Sequence, residues 1–123
     1  MVPDIPQVRA VLAGENGLLA GVDKEILLVV CSTVSPDAVR QLDVDVSEIT
    51  NGLARVIDAP VSGGQVGAEA GTLSIMVGGP DDLVAKALPY LKLAGNPAHL
   101  GPTGAGEVAK ACHQLVGAAN IIA

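Results

Sequence analysis

The segment Asp58–Gly79, DAPVSGGQVGAEAGTLSIMVGG, decides how the rest of the chain is interpreted. A short apolar strand is predicted over Ala54–Ala59, and it must end at Pro60 because proline lacks the backbone donor that sheet pairing needs. A flexible, glycine-containing segment follows, and a second strand is predicted over Thr72–Val77. The sequence therefore predicts two strands joined around a glycine-rich connection.

Ser62, Gly63 and Gly64 lie in that connection, directly after the first strand. Paired glycines let the backbone approach a ligand closely, and open α/β sheets bind ligands beyond the carboxyl ends of their strands. A serine hydroxyl beside free backbone N–H groups suits an anion such as a carboxylate. A plain glycine-rich turn explains the same residues, and their spacing alone leaves both interpretations open.

The composition indicates a single α/β domain, or part of one, with an aliphatic core. Half of the 123 residues are hydrophobic, yet the chain has one Tyr and neither Phe nor Trp. Val, Leu, Ile and Ala must therefore fill the core, which suits helices that cover a largely parallel sheet. Strand and helix patterns alternate along the chain, as in α/β proteins.

The patterns of the individual segments place the elements in order. The acidic stretch 43–52 is ambiguous and is taken as the end of the second helix, closed by Asn51-Gly52. Asp58, which precedes Ala59-Pro60, is expected to bond the backbone of the loop. The other predicted elements are a short helix with Pro6 in its first turn, a buried strand over 25–31, a helix from Pro36 with caps at Ser32 or Ser35, a helix from Pro80 towards Leu91, a short strand over 97–100 and a long helix over 105–123.

Charge and cysteine usage exclude several function classes. The net charge of −6 argues against a nucleic-acid partner or an anionic membrane surface, since no Lys/Arg cluster is present to neutralise phosphates. Cys31 and Cys112 lie in apolar contexts without metal-ligand spacing, so both are expected to be reduced and buried. No apolar run has the length of a membrane span, and the pattern favours a cytoplasmic protein with no metal site.

Lys110, His113 and Gln114 share one face of the last predicted helix, because helical residues three and four apart are neighbours. An ammonium beside an imidazole and an amide could hold a hydroxyl or carbonyl oxygen and exchange a proton with it. From the pattern alone, the better explanation of Lys110 is a lysine that extends its amine from an amphipathic helix into water. His99, in its short strand, is expected to be structural.

Two stretches resemble the β-hydroxyacid dehydrogenases, a family that includes 3-hydroxyisobutyrate dehydrogenase and tartronate semialdehyde reductase. The first is DAPVSGG with GTLSIMVGG, and the second is GPTGAGEVAKACHQL, which resembles the family's Gly-x-Gly-x-x-x-Lys helix. The resemblance runs along the whole chain but covers only a middle piece of a family member. It implies the second half of a Rossmann-type NAD(P)-binding domain over 1–103, and over 104–123 the start of the helix that leads into an absent all-helical domain.

The resemblance also implies roles for individual residues. Lys110 falls on the position of the family's catalytic lysine, and the Ser62 segment (Ser62, Gly63 and Gly64) on that of the loop that holds the substrate carboxylate. Gln114, with His113, would orient the substrate. Val2, Pro3 and Thr33 would line the nicotinamide-ribose side of the cofactor. Helix capping is a second role for Thr33, and the two roles are compatible.

The implied function is an oxidoreductase that interconverts a small 3-hydroxy acid and its semialdehyde with NAD or NADP. Many family members have Asn at the positions of His113 and Gln114, and the His-Gln pair resembles threonate-type dehydrogenases. This departure leaves open whether His113 favours a longer, polyhydroxylated acid or only packs the helix.

A second function class stays open, because the sequence contains no GxGxxG segment of the kind that holds a dinucleotide pyrophosphate. The alternative is a non-catalytic remnant or binding module without activity of its own. In either case a sheet edge and an apolar helix face would be left uncovered, so the chain is expected to form a homo-oligomer.

Overall fold

The computed structural model describes residues 1–122, with side chains as far as Ile121. A five-stranded sheet is covered by helices, which confirms the predicted α/β class. A 3-10 turn over Leu18–Gly21 follows the first helix. The helices are α1 (Ile5–Leu12), α2 (Pro36–Ile49), α3 (Gly64–Ala70), α4 (Asp81–Ala94) and α5 (Ala105–Ile122). The strands are β1 (Ile26–Val30), β2 (Ala54–Asp58), β3 (Val61–Ser62), β4 (Leu73–Gly78) and β5 (Gly95–Gly101).

The sheet is mixed, whereas the composition predicted a largely parallel one. The strands run in the order β1-β2-β4-β3, and β5 also pairs with β4. Pairing is parallel for β1–β2 and β4–β5 but antiparallel for β3–β4 and for the single contact of Asp58 with Gly78. Parallel neighbours need a crossover of a dozen or more residues. Since the segments that flank β3 are shorter than that, β3 can pair only in the antiparallel sense.

The aliphatic core lies on both faces of the sheet, as alternation along β2 requires. Val56 belongs to one buried cluster, with Val39 and Leu42 of α2. Its neighbour Ile57 belongs to the other, with residues of α4 such as Val84. The predicted core of Val, Leu, Ile and Ala is therefore confirmed, and β2 is the strand that both layers share.

The acidic stretch after Leu42 continues α2, as the sequence favoured. Asp43 explains why, because its carboxylate accepts two hydrogen bonds from the Arg55 guanidinium, each at 3.0 Å, and one from the backbone N–H of Val56 at 2.8 Å. At the other end of α2, the Ser35 hydroxyl accepts from the N–H of Ala38 at 3.2 Å. The helix is thus capped at its start by Ser35 and bonded to β2 through Asp43.

Helix α3 was not predicted, since the glycines of this segment indicated a flexible connection. Gly63 precedes the helix with φ of 133°, a conformation open to glycine. Gly67 is buried, and a Cβ there would lie 3.2 Å from the Leu73 side chain, so its small size is used for packing. Gln65 and Glu69 bond across one turn at 2.8 Å.

The second half of α5 is exposed, which corrects one prediction about the cysteines. Cys31 is half-buried at the end of β1, but Cys112 is exposed because α5 beyond Lys110 has few neighbours in the described part of the chain. No helix within residues 1–122 is long and apolar enough to cross a membrane.

Candidate active site

The amino end of α5 is held by the carboxylate of Asp58, which ends β2. Its two oxygens accept from the backbone N–H groups of Gly104 at 2.7 Å and Glu107 at 2.9 Å. The side chain is fully buried, and this desolvation raises the pKa of Asp58 although the backbone donors oppose the shift. A carboxylate at the positive end of a helix is favourable. Asp58 therefore positions α5 on the sheet, and the backbone groups that it bonds belong to the start of α5 and not to the loop directly after Pro60.

Two glycines allow α5 to lie directly against β4. A Cβ on Gly106 would lie 2.1 Å from the carbonyl oxygen of Met76, and one on Gly78 would lie 2.6 Å from a carboxylate oxygen of Asp58. Cβ atoms do not approach other heavy atoms below 3.0 Å, and at both positions backbone atoms are this close, since the Cβ on Gly78 would also lie 2.8 Å from the backbone nitrogen of Ala105. The first turn of α5 can therefore occupy this position only because both residues lack a side chain.

The same segment, Gly104–Ala109, has the G-x-G-x-x-A spacing of a dinucleotide-binding turn. Such turns bind a pyrophosphate with free N–H groups at a helix amino end. Here the N–H groups of Gly104 and Glu107 already donate to Asp58. The segment is thus the loop that enters α5, and it does not offer a phosphate site.

Lys110 and His113, both on α5, reach the same two-residue strand β3. The Lys110 amine donates to the carbonyl oxygen of Val61 at 2.8 Å, and its side chain is 8% exposed. The ring nitrogen Nε2 of His113 lies 3.0 Å from the Ser62 hydroxyl. The structure therefore brings together the lysine and the serine that the sequence assigned to one site.

The remaining predicted substrate residues border this contact. Gly63 and Gly64 follow Ser62 directly, both exposed and both with positive φ. Gln114 is exposed and lies four residues after Lys110, on the same side of α5. A small ligand over β3 could thus meet a hydroxyl, an amine, an imidazole and an amide.

Val2, Pro3 and Thr33 lie at the carboxyl end of β1. The Ser32 hydroxyl accepts from the N–H of Val2 at 3.1 Å and donates to the Val2 carbonyl oxygen, so the two segments are joined. Ser32 is buried, whereas Pro3 and Thr33 are exposed beside it. These residues fit one end of a dinucleotide at a strand terminus. They offer no turn for its pyrophosphate.

Glu107 is a site residue that the sequence interpretation missed. It is 1% exposed, and its Oε2 accepts from the N–H of Val34 at 3.0 Å. Desolvation raises the pKa of Glu107 to about 7, and repulsion by Asp58 adds to the shift, while the Val34 N–H and Lys110 oppose it. The only sequence signal was its position three residues before Lys110, on the same helix face.

The other titratable side chains do not form a further centre. His99 Nε2 lies 2.8 Å from the carbonyl oxygen of Gly79 and 3.0 Å from that of Gly101, which supports a structural role. Among the described residues, no three His, Cys, Asp or Glu side chains are grouped so that they could hold a metal ion.

Comparison with known proteins identifies relatives along the whole chain. A 3-hydroxyisobutyrate dehydrogenase of Pseudomonas aeruginosa is 44% identical over 117 residues, which are 94% of this chain and 38% of that protein. The 2-hydroxy-3-oxopropionate reductase of Escherichia coli is 41% identical over 122 residues, which are 98% of this chain and 41% of the reductase. The chain thus spans about two fifths of the length of these relatives.

A solved structure and a family profile agree with these relatives. The Mycobacterium tuberculosis 3-hydroxyisobutyrate dehydrogenase with L-serine superimposes with a TM-score of 0.82 at 33% identity, over 94% of this chain and 38% of that one. The profile of the family described as the NAD binding domain of 6-phosphogluconate dehydrogenase matches residues 1–115. The predicted cofactor class, a nicotinamide dinucleotide, is confirmed by this family. The chain therefore belongs to the β-hydroxyacid dehydrogenases, in the family of NAD binding domains of the 6-phosphogluconate dehydrogenase type.

Proposed function

We propose that this chain supplies the substrate half of an oxidoreductase that interconverts a small 3-hydroxy acid and its semialdehyde with NAD or NADP. The observation that carries the proposal is the double contact of α5 with β3, Lys110 to Val61 at 2.8 Å and His113 to Ser62 at 3.0 Å. It joins a buried amine to the segment that the sequence assigned to a carboxylate. The names of the relatives, 3-hydroxyisobutyrate dehydrogenase and 2-hydroxy-3-oxopropionate reductase, support the reaction class.

The Ser62 segment binds the carboxylate of the substrate. The Ser62 hydroxyl can donate to one carboxylate oxygen, and the backbone N–H groups of the exposed residues Gly63 and Gly64 can donate to the other. Gln114 donates or accepts with its amide at the other side of the ligand. These groups are neutral, so the charge that attracts the acid comes from Lys110.

Lys110 is the general acid and base of the reaction. Oxidation of an alcohol requires removal of the hydroxyl proton while hydride leaves the same carbon, and the reverse reaction requires a proton donor at the carbonyl oxygen. The bound nicotinamide accepts or supplies the hydride. The Lys110 amine is held at the edge of β3, next to the carboxylate loop, and can exchange that proton.

His113 is the residue with which this chain departs from the common family pattern, and we assign it to substrate choice. Its Nε2 lies 3.0 Å from the Ser62 hydroxyl, so it sets the orientation of a group that contacts the carboxylate. An imidazole also reaches further than an Asn amide and can bond an additional substrate hydroxyl. A longer, polyhydroxylated acid is therefore the favoured substrate within the class.

The test combines two titrations of the 123-residue chain. In heteronuclear NMR spectra, 3-hydroxyisobutyrate, L-serine, glycerate and threonate are each added, and the amide shifts of Ser62, Gly63 and Gly64 are followed. We expect saturable shifts that are confined to this loop and to α5. The Ser62→Ala variant should show weaker shifts. Shifts that Ser62→Ala leaves unchanged, or no shifts with any of the acids, would overturn the carboxylate site.

The second titration follows NADH and NADPH fluorescence, which the chain leaves undisturbed because it has no Trp. A saturable enhancement of the fluorescence supports a nucleotide site at the end of β1 if the Thr33→Ala variant reduces that enhancement. A flat signal favours the second candidate function, a module without activity of its own. The exposed apolar side chains on the second half of α5 favour that candidate, because they leave a surface that another domain would have to cover.

Two further expectations from the sequence stay predictions. The dinucleotide could be NAD or NADP, because the residue that selects between them is not identified in this chain. The cytoplasmic location is also untested, and one relative, from Dictyostelium discoideum, is named as a mitochondrial protein.

A further inference from the structure

Glu107 is a buried acid whose two oxygens have different surroundings. Oε2 accepts from the backbone N–H of Val34, while Oε1 is buried without a hydrogen-bond partner among the described residues. Its own N–H donates to Asp58. Glu107 is therefore the link between three parts of the site: the end of β1, the end of β2 and the first turn of α5.

The charges around Glu107 disfavour its ionised form. From β2 it faces Asp58, a second buried carboxyl, and from the end of β1 it faces the thiol of Cys31. The favourable cation is Lys110 on its own helix, which gives a hydrogen bond to Val61 instead. Arg40 of α2 contacts Gly104 nearby, but its guanidinium bonds the Thr103 carbonyl oxygen and Asp37.

A neutral carboxyl costs less free energy in this environment than an ionised one, because the group left unpaired at Oε1 is then an uncharged O–H. A proton on Oε1 removes the buried charge and leaves Oε2 as a carbonyl oxygen that still accepts from Val34. An ionised Glu107 instead needs a donor or water at Oε1, because an unpaired buried charge is costly. Oε1 is buried, so hydration of an ionised Glu107 requires the contacts around it to open.

We propose that Glu107 is a positioning residue whose buried carboxyl, through its hydrogen bond from Val34, fixes the cofactor-side turn Thr33–Val34 against the helix that bears Lys110. When it ionises, the turn and the helix separate, and Lys110, one helical turn further along, is displaced from Thr33. The part of the inference that concerns cofactor and Lys110 rests on the proposed function; the contact of Glu107 with Val34 does not.

The first experiment is an NMR pH titration of the 123-residue chain, with Val34 as the reporter because its N–H donates to Glu107. We expect the Val34 amide shift to titrate with a midpoint of about 7. In Glu107→Gln, a neutral isostere, the shift should stay at the low-pH value throughout. Glu69→Gln, an exposed carboxyl on α3, is the matched control and should titrate like the wild type.

A Val34 amide that does not titrate, or that titrates equally in Glu107→Gln, would overturn the proposal. The second experiment repeats the NADH titration across the same pH range. Affinity should fall in the wild type as pH rises through the midpoint and stay constant in Glu107→Gln. Equal pH profiles would overturn the positioning role, whereas a failure of the hydroxy acids to shift the Ser62 loop would overturn only the proposed function.

Discussion

The amine of Lys110 lies 2.8 Å from the carbonyl oxygen of Val61, a residue 49 positions earlier in the chain. This contact bonds the long helix α5 to the strand that begins the Ser62 segment. It satisfies a buried ammonium with a neutral acceptor and leaves the other N–H donors of the amine available to a ligand. The relationship gives Lys110 a fixed place beside the proposed carboxylate site, and a substitution there can be interpreted locally.

Replacing Lys110 with Ala should reduce turnover of the hydroxy acid by a factor of about 10²–10⁴, the usual contribution of a positioned acid or base. Affinity for the dinucleotide should change little, since the proposed nucleotide residues lie at the end of β1. Turnover is measured as NAD(P)H formation in the proposed oxidoreductase. Lys86→Ala on α4 is the control, because Lys86 is exposed and its ion pair with Glu25 is long at 3.9 Å. Activity of Lys110→Ala close to that of Lys86→Ala would exclude the assigned role.

Asp58→Asn should destabilise the chain by about 2 kcal/mol, because one of the two buried N–H donors loses its acceptor oxygen and meets an amide donor instead. The effect should be visible as a lower midpoint in urea unfolding. Asp81→Asn, at the exposed amino end of α4, removes a charge from a helix start without breaking a described hydrogen bond. If both variants lost the same stability, Asp58 would act through its charge alone.

The sequence predicted most of the elements because their signals are local. The buried strand β1 is a continuous aliphatic run, and α2 begins with Ser35, Pro36 and Asp37 in the order that caps and first turns favour. Helix α3 was missed because its glycines serve packing against Leu73, which lies outside the segment. The antiparallel pairing of β3 depended on connection lengths that the pattern of the strand itself does not contain.

The candidate site likewise contains residues that local motifs predicted and one that depends on distant parts of the chain. Lys110, His113 and Ser62 were predicted from motifs, and in the structure His113 contacts Ser62 while Lys110 contacts Val61, the neighbour of Ser62. Glu107 could not be identified in advance, since its burial results from contacts with residues 73 positions away at Val34 and 49 positions away at Asp58. Long-range contacts of this kind leave no periodic signal in a single sequence.

Gly106→Ala and Gly117→Ala should change stability in opposite directions although both lie in α5. A Cβ at Gly106 would lie 2.1 Å from the Met76 carbonyl oxygen, so the helix must move away from β4. At Gly117 no atom lies within 4 Å of the added Cβ. Alanine there should stabilise the helix by about 0.5–1 kcal/mol, the usual difference between Gly and Ala. Urea unfolding of the two variants checks this, and equal effects would contradict the close contact of α5 with β4.

The free energy of unfolding should fall as pH rises from about 4.5 to about 7. The pKa of Glu107 is raised in the folded state from 4.5 to about 7, so between these values the folded chain binds more protons than the unfolded chain. At 1.36 kcal/mol for each unit, the total loss is about 3 kcal/mol. Burial raises the pKa of Asp58 as well, which adds a loss of the same sign.

Glu107→Gln should remove the contribution of Glu107 to the slope of unfolding free energy against pH. The contribution of Asp58 should remain. The measurement is urea unfolding at several pH values across the window. A slope that is unchanged in Glu107→Gln would show that the buried acid is ionised throughout.

The chain should associate with itself in solution, because two of its surfaces are uncovered in the described residues. Within residues 1–122, strand β1 pairs only with β2, and its Val29 is exposed. On α5, Leu115 and Val116 are 72% and 60% exposed. Exposed strand edges and contiguous apolar patches both favour association.

Sedimentation velocity at increasing concentration should therefore show dimers or larger species. Leu115→Glu combined with Val116→Glu should shift the chain towards the monomer if the helix face mediates contact. Val66→Glu is the matched control, since Val66 is 80% exposed on α3, away from both surfaces in sequence. If the double variant still associates like the control, the edge of β1 is the contact, and Val29→Lys on that strand should abolish it. A wild-type chain that stays monomeric at high concentration would refute the prediction for both surfaces.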